Sequence, residues 1–359
     1  MEKTTTGSAH QTAGSIIAER KEELADLVTR MQYEQQPDLM VRFGENGRRR
    51  TRQDTLYNLK YLSESIQMQS PLLFSSYISW LKTLLAGYKV TSEELAVNLR
   101  AMKEAIREIV DEEVYLIVQD YLDPAIRQVE LPLGESPTFL EEGTPLHQEA
   151  ELYTQMLLKG DRMAASELIM QLARTRTVEE IYLHIFQRSQ YEIGRLWQTN
   201  QINVAQEHYC TAATQMIMSQ LYPYIFATAR KGRNLVAACV GEELHEIGLR
   251  MVSDFFEMEG WDTYYLGANV PKRSIIQSII DKKADVMAIS ATMTFHVNLV
   301  KDLIQEIRSH EACRDTKIIV GGLPFNIDQE LWRSVGADGF ARDAKQAIAS
   351  ATGLIGAAG

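Results

Sequence analysis

Cysteine is scarce in this sequence: three residues in 359, Cys210, Cys239 and Cys313, with no two spaced as a pair. That excludes a disulfide framework and a cysteine-based zinc site, and it fits a reducing cytoplasm. Net positive charge is also missing. The 48 acidic and 37 basic residues leave a formal charge of -11, which excludes a global basic field for nucleic acid. No apolar run has the length of a bilayer span, and residues 1–14 are polar and threonine-rich without the apolar core of a signal peptide. There is no internal repeat and no low-complexity tract of functional weight. What is present, 45% hydrophobic and 24% charged residues, is the composition of a soluble protein of two or three domains.

The hydrophobic pattern divides the chain. Residues 1–14 are expected to form a disordered tail. Residues 15–130 read as all-α, with about five or six helices. A first helix runs over 15–31. Asp54 is an N-cap candidate for a second, Pro71 opens a third that ends near Gly87, and Thr91 with Glu94 has capping-box spacing. Residues 131–146 hold three prolines and two glycines and read as a linker. Residues 147–231 return to helical spacing and predict a four-helix bundle. From 232 to 359 short apolar runs alternate with amphipathic helices. Strands near 235–240, 263–267, 286–290, 317–322 and 338–340 predict a Rossmann-like (flavodoxin-like) α/β domain with a parallel sheet.

In such a sheet ligands bind beyond the carboxyl ends of the strands. Three features fall there: Glu243-Leu244-His245-Glu246-Ile247-Gly248 after the first strand, Ser290-Ala291-Thr292 after the third, and Gly321-Gly322 after the fourth. Together they resemble the Asp-x-His-x-x-Gly, Ser-x-Leu/Thr and Gly-Gly motifs of the cobalamin-binding domains of methionine synthase and corrinoid methyltransferases. Glu243 stands where that family has Asp. The resemblance implies that His245 is the lower ligand of cobalt and Glu243 its hydrogen-bond acceptor. It also implies that Gly248, Ser290, Thr292, Gly321 and Gly322 line the path of the nucleotide tail. Imidazole is a good cobalt ligand once its second nitrogen has a fixed partner.

A second pattern lies in the bundle. Trp197 is followed after nine residues by Glu207-His208, a spacing that resembles the light-responsive adenosylcobalamin repressors of the CarH type. The resemblance implies that Trp197 caps the upper face, Glu207 contacts the adenosyl group and His208 is a possible upper ligand after light. A core tryptophan and a surface Glu-His pair are the plainer alternative.

The N-terminal region resembles the globin-like sensor domains of stress-response regulators and of the photocobilins, which carry biliverdin as well as adenosylcobalamin. It has no winged-helix strand pair, and its only concentrated basicity is Arg48, Arg49, Arg50 and Arg52, so direct DNA binding is not expected. His10 is the only histidine before His147, and no cysteine precedes Cys210. The usual axial ligands for heme and a thiol for covalent bilin attachment are therefore lacking. For a non-covalent biliverdin, the four arginines are candidate propionate partners and Tyr57, Tyr61, Trp80 and Tyr88 candidate stacking partners; helix-bundle core is the alternative for these aromatics.

The expectation is a cytoplasmic, non-enzymatic adenosylcobalamin light sensor. It would act with small-molecule chromophores and signal through homo-oligomerisation or a downstream protein. The competing readings are a corrinoid carrier of methylcobalamin in a methyltransferase system and a storage binder of the cofactor.

Overall fold

The computed structural model describes residues 2–356, with side chains from residue 9 onward. The chain forms two units. The first comprises Met1–Leu133 with Met293–Lys301 and Leu323–Val335; the second comprises Gly134–Thr292, Asp302–Gly322 and Gly336–Gly359.

The first unit contains α1 (Glu2–Glu19), α2 (Lys21–Gln35), α3 (Asp38–Gln67), α4 (Pro71–Gly87), α5 (Ser92–Ile109) and α6 (Glu112–Glu130). Residues 9–14, expected to be disordered, belong to α1: Ala13 is wholly buried and the His10 ring meets Tyr121 edge-on at 6.4 Å. Apolar residues every third or fourth position give the N-terminal segment a face to bury, which the polar tract beside them concealed. The helix expected over 15–31 is two helices, broken at Arg20. Asp54 is not an N-cap but lies inside α3, whose break occurs earlier, at Gly44 with φ 60°. Pro71 does open α4, and Thr91 accepts from the Glu94 amide at 3.2 Å while Glu94 accepts from the Thr91 amide at 2.6 Å.

The unit's core holds Leu24, Leu59, Leu62, Phe74, Leu99, Met102 and Leu122. A buried polar chain crosses it. Tyr77 donates to Asn58 (2.8 Å), Asn58 to Asn98 (3.2 Å), and Asn98 to Gln32 (2.8 Å) and Thr55 (3.1 Å). Such groups are tolerated inside because each finds a partner.

The second unit begins with a bundle of α7 (His147–Leu158), α8 (Arg162–Leu172), α9 (Val178–Ile181), α10 (Gln187–Gln198), α11 (Val204–Gln220) and the single turn α12 (Tyr222–Ile225). A π-helical turn, Tyr182–Phe186, joins α9 to α10. Asn203 and Gln206 form a capping box at the start of α11. From there the chain runs β1 (Asn234–Val240), α13 (Ile247–Met258), β2 (Asp262–Val270), α14 (Lys272–Asp281), β3 (Val286–Ser290), α15 (Val297–Ser309), β4 (Lys317–Gly321), α16 (Leu323–Ile327), α17 (Leu331–Val335), β5 (Gly339–Phe340) and α18 (Ala344–Gly356), of which α16, α17 and the first residues of α15 count with the first unit. The sheet is parallel, in the order β2-β1-β3-β4-β5. Cys239 pairs with Ser290 and Ser290 with Gly321, so register alone brings the ends of β1, β3 and β4 to one rim. Among the described residues no helix is long and apolar enough to cross a membrane.

Candidate functional site

The loop after β1 centres on Glu243, whose side chain is wholly buried. A carboxylate in that position requires donors, and the structure supplies them. The Glu243 Oε1 accepts from His245 Nδ1 at 2.5 Å and from the His245 amide at 3.0 Å, while Oε2 accepts from the Thr292 amide at 2.7 Å. One side chain thus ties the loop after β1 to the loop after β3. Glutamate in place of aspartate closes this geometry fully. Thr292, expected to line the path of the nucleotide tail, also holds Glu243 through its backbone amide.

His245 keeps 58% of its side chain exposed. With Nδ1 engaged, Nε2 is the nitrogen presented to a ligand. The Glu243 hydrogen bond, opposed by desolvation and aided by the Glu243 and Glu207 charges, raises the imidazole pKa above its ordinary 6.5. Leu244, 72% exposed, stands beside it as an uncovered apolar surface. Cys239 lies beneath, its thiol pushed up to about 12 by burial and by Glu243 and Glu246, which makes it a packing group and not a nucleophile.

The glycines differ in their reasons. Gly322 has φ 99°, and a Cβ there would lie 2.0 Å from the Ala291 oxygen. Gly321 would meet the Ala341 oxygen at 3.0 Å. Gly248, in the first turn of α13, faces open space, so it leaves room and is not forced by its own fold. Ser290 sits half-buried at the end of β3.

In the bundle, Trp197 is half-buried in the last turn of α10. His208 is exposed on the first turn of α11, and its Nδ1 is in a short contact with Glu207 Oε2. The other Glu207 oxygen is 2.9 Å from the Thr211 hydroxyl, which lies 3.0 Å from Gln190 Oε1. Gln215, two turns further along α11, donates to Glu246, the residue after His245, so this helix packs against the same rim of the sheet, and the Glu207 charge is felt at His245.

Two residues of this neighbourhood were not anticipated. Glu246 accepts from Tyr265 and from the Ala268 amide, both at 2.9 Å. Arg250 is buried on α13 and donates into α11. A charged pair four residues apart, Arg250 and Asp254, among Leu249, Met251, Phe255 and Phe256 was the available signal.

The proposed bilin contacts are not gathered into one set. Arg52 is held by Asp26 (2.5 Å) and Glu22 (2.8 Å), Arg49 contacts Asn46, and Arg48 lies 6.0 Å over the Tyr33 ring. Arg50 acts on Asp54, whose carboxyl burial pushes up to about 6. Tyr61 stacks on Tyr77 at 3.6 Å and Tyr77 on Trp80 at 6.3 Å, whereas Tyr57 and Tyr88 are half-exposed.

The site offers a macrocycle-borne metal one oriented imidazole, an apolar shelf at Leu244, and a glycine-lined rim. A cobalt carried in its own macrocycle would fit that set, because the protein would need to supply a single nitrogen and His245, held by Glu243, could provide it. Comparison with known proteins agrees. A B12 binding domain model matches residues 233–350, and a second B12 binding domain model matches 149–222. Dimethylamine corrinoid protein 3 of Methanosarcina mazei is 30% identical over 140 residues, 38% of this chain and 81% of that protein. The dimethylamine corrinoid protein of Methanosarcina barkeri is 33% identical over 123 residues, 34% of this chain and 56% of that protein. Dimethylamine corrinoid protein 3 of Methanosarcina acetivorans is 30% identical over 122 residues, again 56% of its length, so the chain spans just over half of these last two. The solved monomethylamine corrinoid protein of Methanosarcina barkeri superposes with a TM-score of 0.51 at 18% identity, over 59% of this chain and 99% of that one; this likeness is one of fold.

Proposed function

Because the chain belongs to the family of cobalamin-binding corrinoid proteins, we propose that it holds cobalamin with His245 as the lower cobalt ligand and acts as a carrier of the cofactor's upper group in a methyltransferase system. The observation that carries this reading is the fixed orientation of His245, whose Nδ1 is bound to the buried Glu243. Bound cobalamin supplies a cobalt that accepts and yields an alkyl group. Everything else is asked of the chain. His245 ligates through Nε2, and Glu243 fixes the tautomer. The Thr292 amide holds Glu243 in place, and Gly248, Gly321 and Gly322 leave the rim open for the nucleotide tail. Trp197 and α11 shield the opposite side from water. The dimethylamine corrinoid proteins support methyl transfer over light sensing, and a methyltransferase is the partner this reading requires.

A second reading, an adenosylcobalamin light sensor, is favoured by one observation: the exposed His208, tethered to Glu207, stands on α11, the helix that is hydrogen-bonded to the residue after His245. That histidine is a ready second imidazole. In this reading a non-covalent biliverdin would rest against the exposed aromatics of the first unit, Tyr57, Trp80 or Tyr88.

Loading the protein with methylcobalamin and with adenosylcobalamin in the dark tests both. Nitrogen coupling from one protein imidazole in the electron paramagnetic resonance of the reduced cofactor is expected, and its absence overturns the shared premise. Illumination that changes the oligomeric state of the wild type, with a different photoproduct in His208→Ala, decides for the sensor. Methyl delivery to a thiol acceptor through an added methyltransferase, with no light response, decides for the carrier.

A further inference from the structure

Three hydrogen bonds tie α11 to the segment that follows His245. Gln215 Nε2 donates to Glu246 Oε1 at 3.3 Å. Arg250 donates through Nη1 to the main-chain oxygen of Gln215 at 3.0 Å, and through Nη2 to Ser219 Oγ at 2.7 Å. Both anchors are themselves held. The second carboxylate oxygen of Glu246 accepts from Tyr265 and the Ala268 amide of β2. The Arg250 guanidinium lies 5.7 Å from the Tyr222 ring centroid and acts on Asp254, one turn on, which accepts from Tyr182 at 2.8 Å.

Burying a guanidinium is costly, and a well-packed apolar residue at such a place is often no worse for stability. What the arginine adds is direction. Its two donors reach two atoms four residues apart on α11, so they fix both the rotation and the axial position of that helix. The fork geometry of Arg suits this, whereas a lysine would offer a single point of attachment. The same helix carries Glu207 and His208 in its first turn, two turns before Gln215.

We propose that Arg250 and Glu246 are positioning residues that clamp α11 to the His245 segment, so that they set the gap between the lower imidazole and the Glu207–His208 pair. The proposal rests on the reading of His245 as the lower ligand only for what fills the gap; the clamp itself is a property of the protein without cofactor.

Its test therefore has a cofactor-free arm. In Arg250→Met and Gln215→Leu, hydrogen exchange of the α11 amides in the apoprotein is expected to rise at least fivefold, with the amides of β1 and β3 unchanged. In protein loaded with aquacobalamin, exchange of the upper water for cyanide is expected to quicken by a similar factor, while the imidazole nitrogen coupling of the same protein after reduction of its cofactor persists. Gln215→Leu and Ser219→Ala leave Arg250 in place and carry the test if Arg250→Met does not fold. Unchanged α11 exchange in folded variants overturns the clamp, and so does faster exchange of every element alike, which marks a merely structural role. A wild type that binds no cobalamin defeats the reading of the site and leaves the cofactor-free arm standing.

Discussion

The Glu243 Oε1 lies 2.5 Å from His245 Nδ1 and also accepts the His245 amide, so a single buried oxygen fixes both the ring and the backbone of the candidate ligand. Replacing Glu243 by Gln keeps the volume but gives up the charge. Partners of this kind usually change metal affinity by about 10–100-fold, and a loss of that size in cobalamin retention is expected. Glu243→Ala should also strand the Thr292 amide and cost about 1–3 kcal/mol of apoprotein stability. Equilibrium dialysis and denaturant titration measure the two; retention equal to wild type in both variants would contradict the assignment.

His245→Ala separates ligation from folding. The imidazole is more than half exposed but is one of the donors to the buried Glu243 carboxylate, so apoprotein stability should fall by about 1–3 kcal/mol while the His245 and Thr292 amides still hold Glu243 and the fold persists. Cobalamin that still binds should lose the imidazole nitrogen coupling in its reduced form. Persistence of that coupling would move the lower ligand to another residue.

The protonated imidazole cannot ligate. Because Glu243 and the acidic residues around it raise the His245 pKa, the proton competes with cobalt up to a higher pH than for a free histidine. Cobalamin affinity should therefore fall on acidification with a midpoint above 6.5, and Glu243→Gln should move that midpoint down. For folding the sign is opposite: the raised pKa contributes stability below the unfolded value, which is lost as pH rises through the folded one. A midpoint at or below 6.5 would show that Glu243 does not act on the ring.

Much of this was legible in the sequence because its signals are local. Alternation of apolar runs with amphipathic helices located the strands, and parallel register then placed His245, Ser290 and Gly321 on one rim without further information. Glu243 was recognised by its offset from His245, although its hold on the Thr292 amide, 49 residues away, could not be. The helical tract over 9–14 was hidden because a polar segment whose few apolar residues pack tightly looks like a tail. Glu246 went unseen, and Arg250 offered only its spacing from Asp254, because their partners lie on α11 and no spacing along the chain encodes a contact between a helix of the bundle and the segment after His245.

Gly322 offers a purely steric test. At φ 99° an L side chain is strained, and its Cβ would press on the Ala291 oxygen at 2.0 Å and the Ala291 carbon at 2.9 Å. Both are backbone, so relief requires movement of the loop that carries Thr292. Gly322→Ala is expected to cost more than about 1 kcal/mol and to weaken cobalamin retention through the lost Thr292–Glu243 bond. Thermal unfolding of the apoprotein reads the first effect; a variant as stable as wild type would mean that the rim is freer than its contacts imply.

Asp254 gives the clamp a pH signature. Burial pushes its carboxyl up to about 6 from an ordinary 3.8, against the opposing hydrogen bond of Tyr182 and the charge of Arg250, while Glu257 adds to the rise. The folded state thus binds this proton more tightly than the unfolded chain. Its contribution to stability is complete below 3.8, declines as pH rises, and is gone above about 6. The size is at most about 3 kcal/mol, from roughly 1.4 kcal/mol per pH unit. Asp254→Asn has no proton to bind, so the difference in unfolding free energy between wild type and variant should slope across about pH 4–6 and be flat above it. Denaturant titrations at a series of pH values measure that difference. A flat difference throughout would mean that Asp254 keeps an ordinary pKa and that Arg250, held by its bonds to α11 alone, needs no titrating partner.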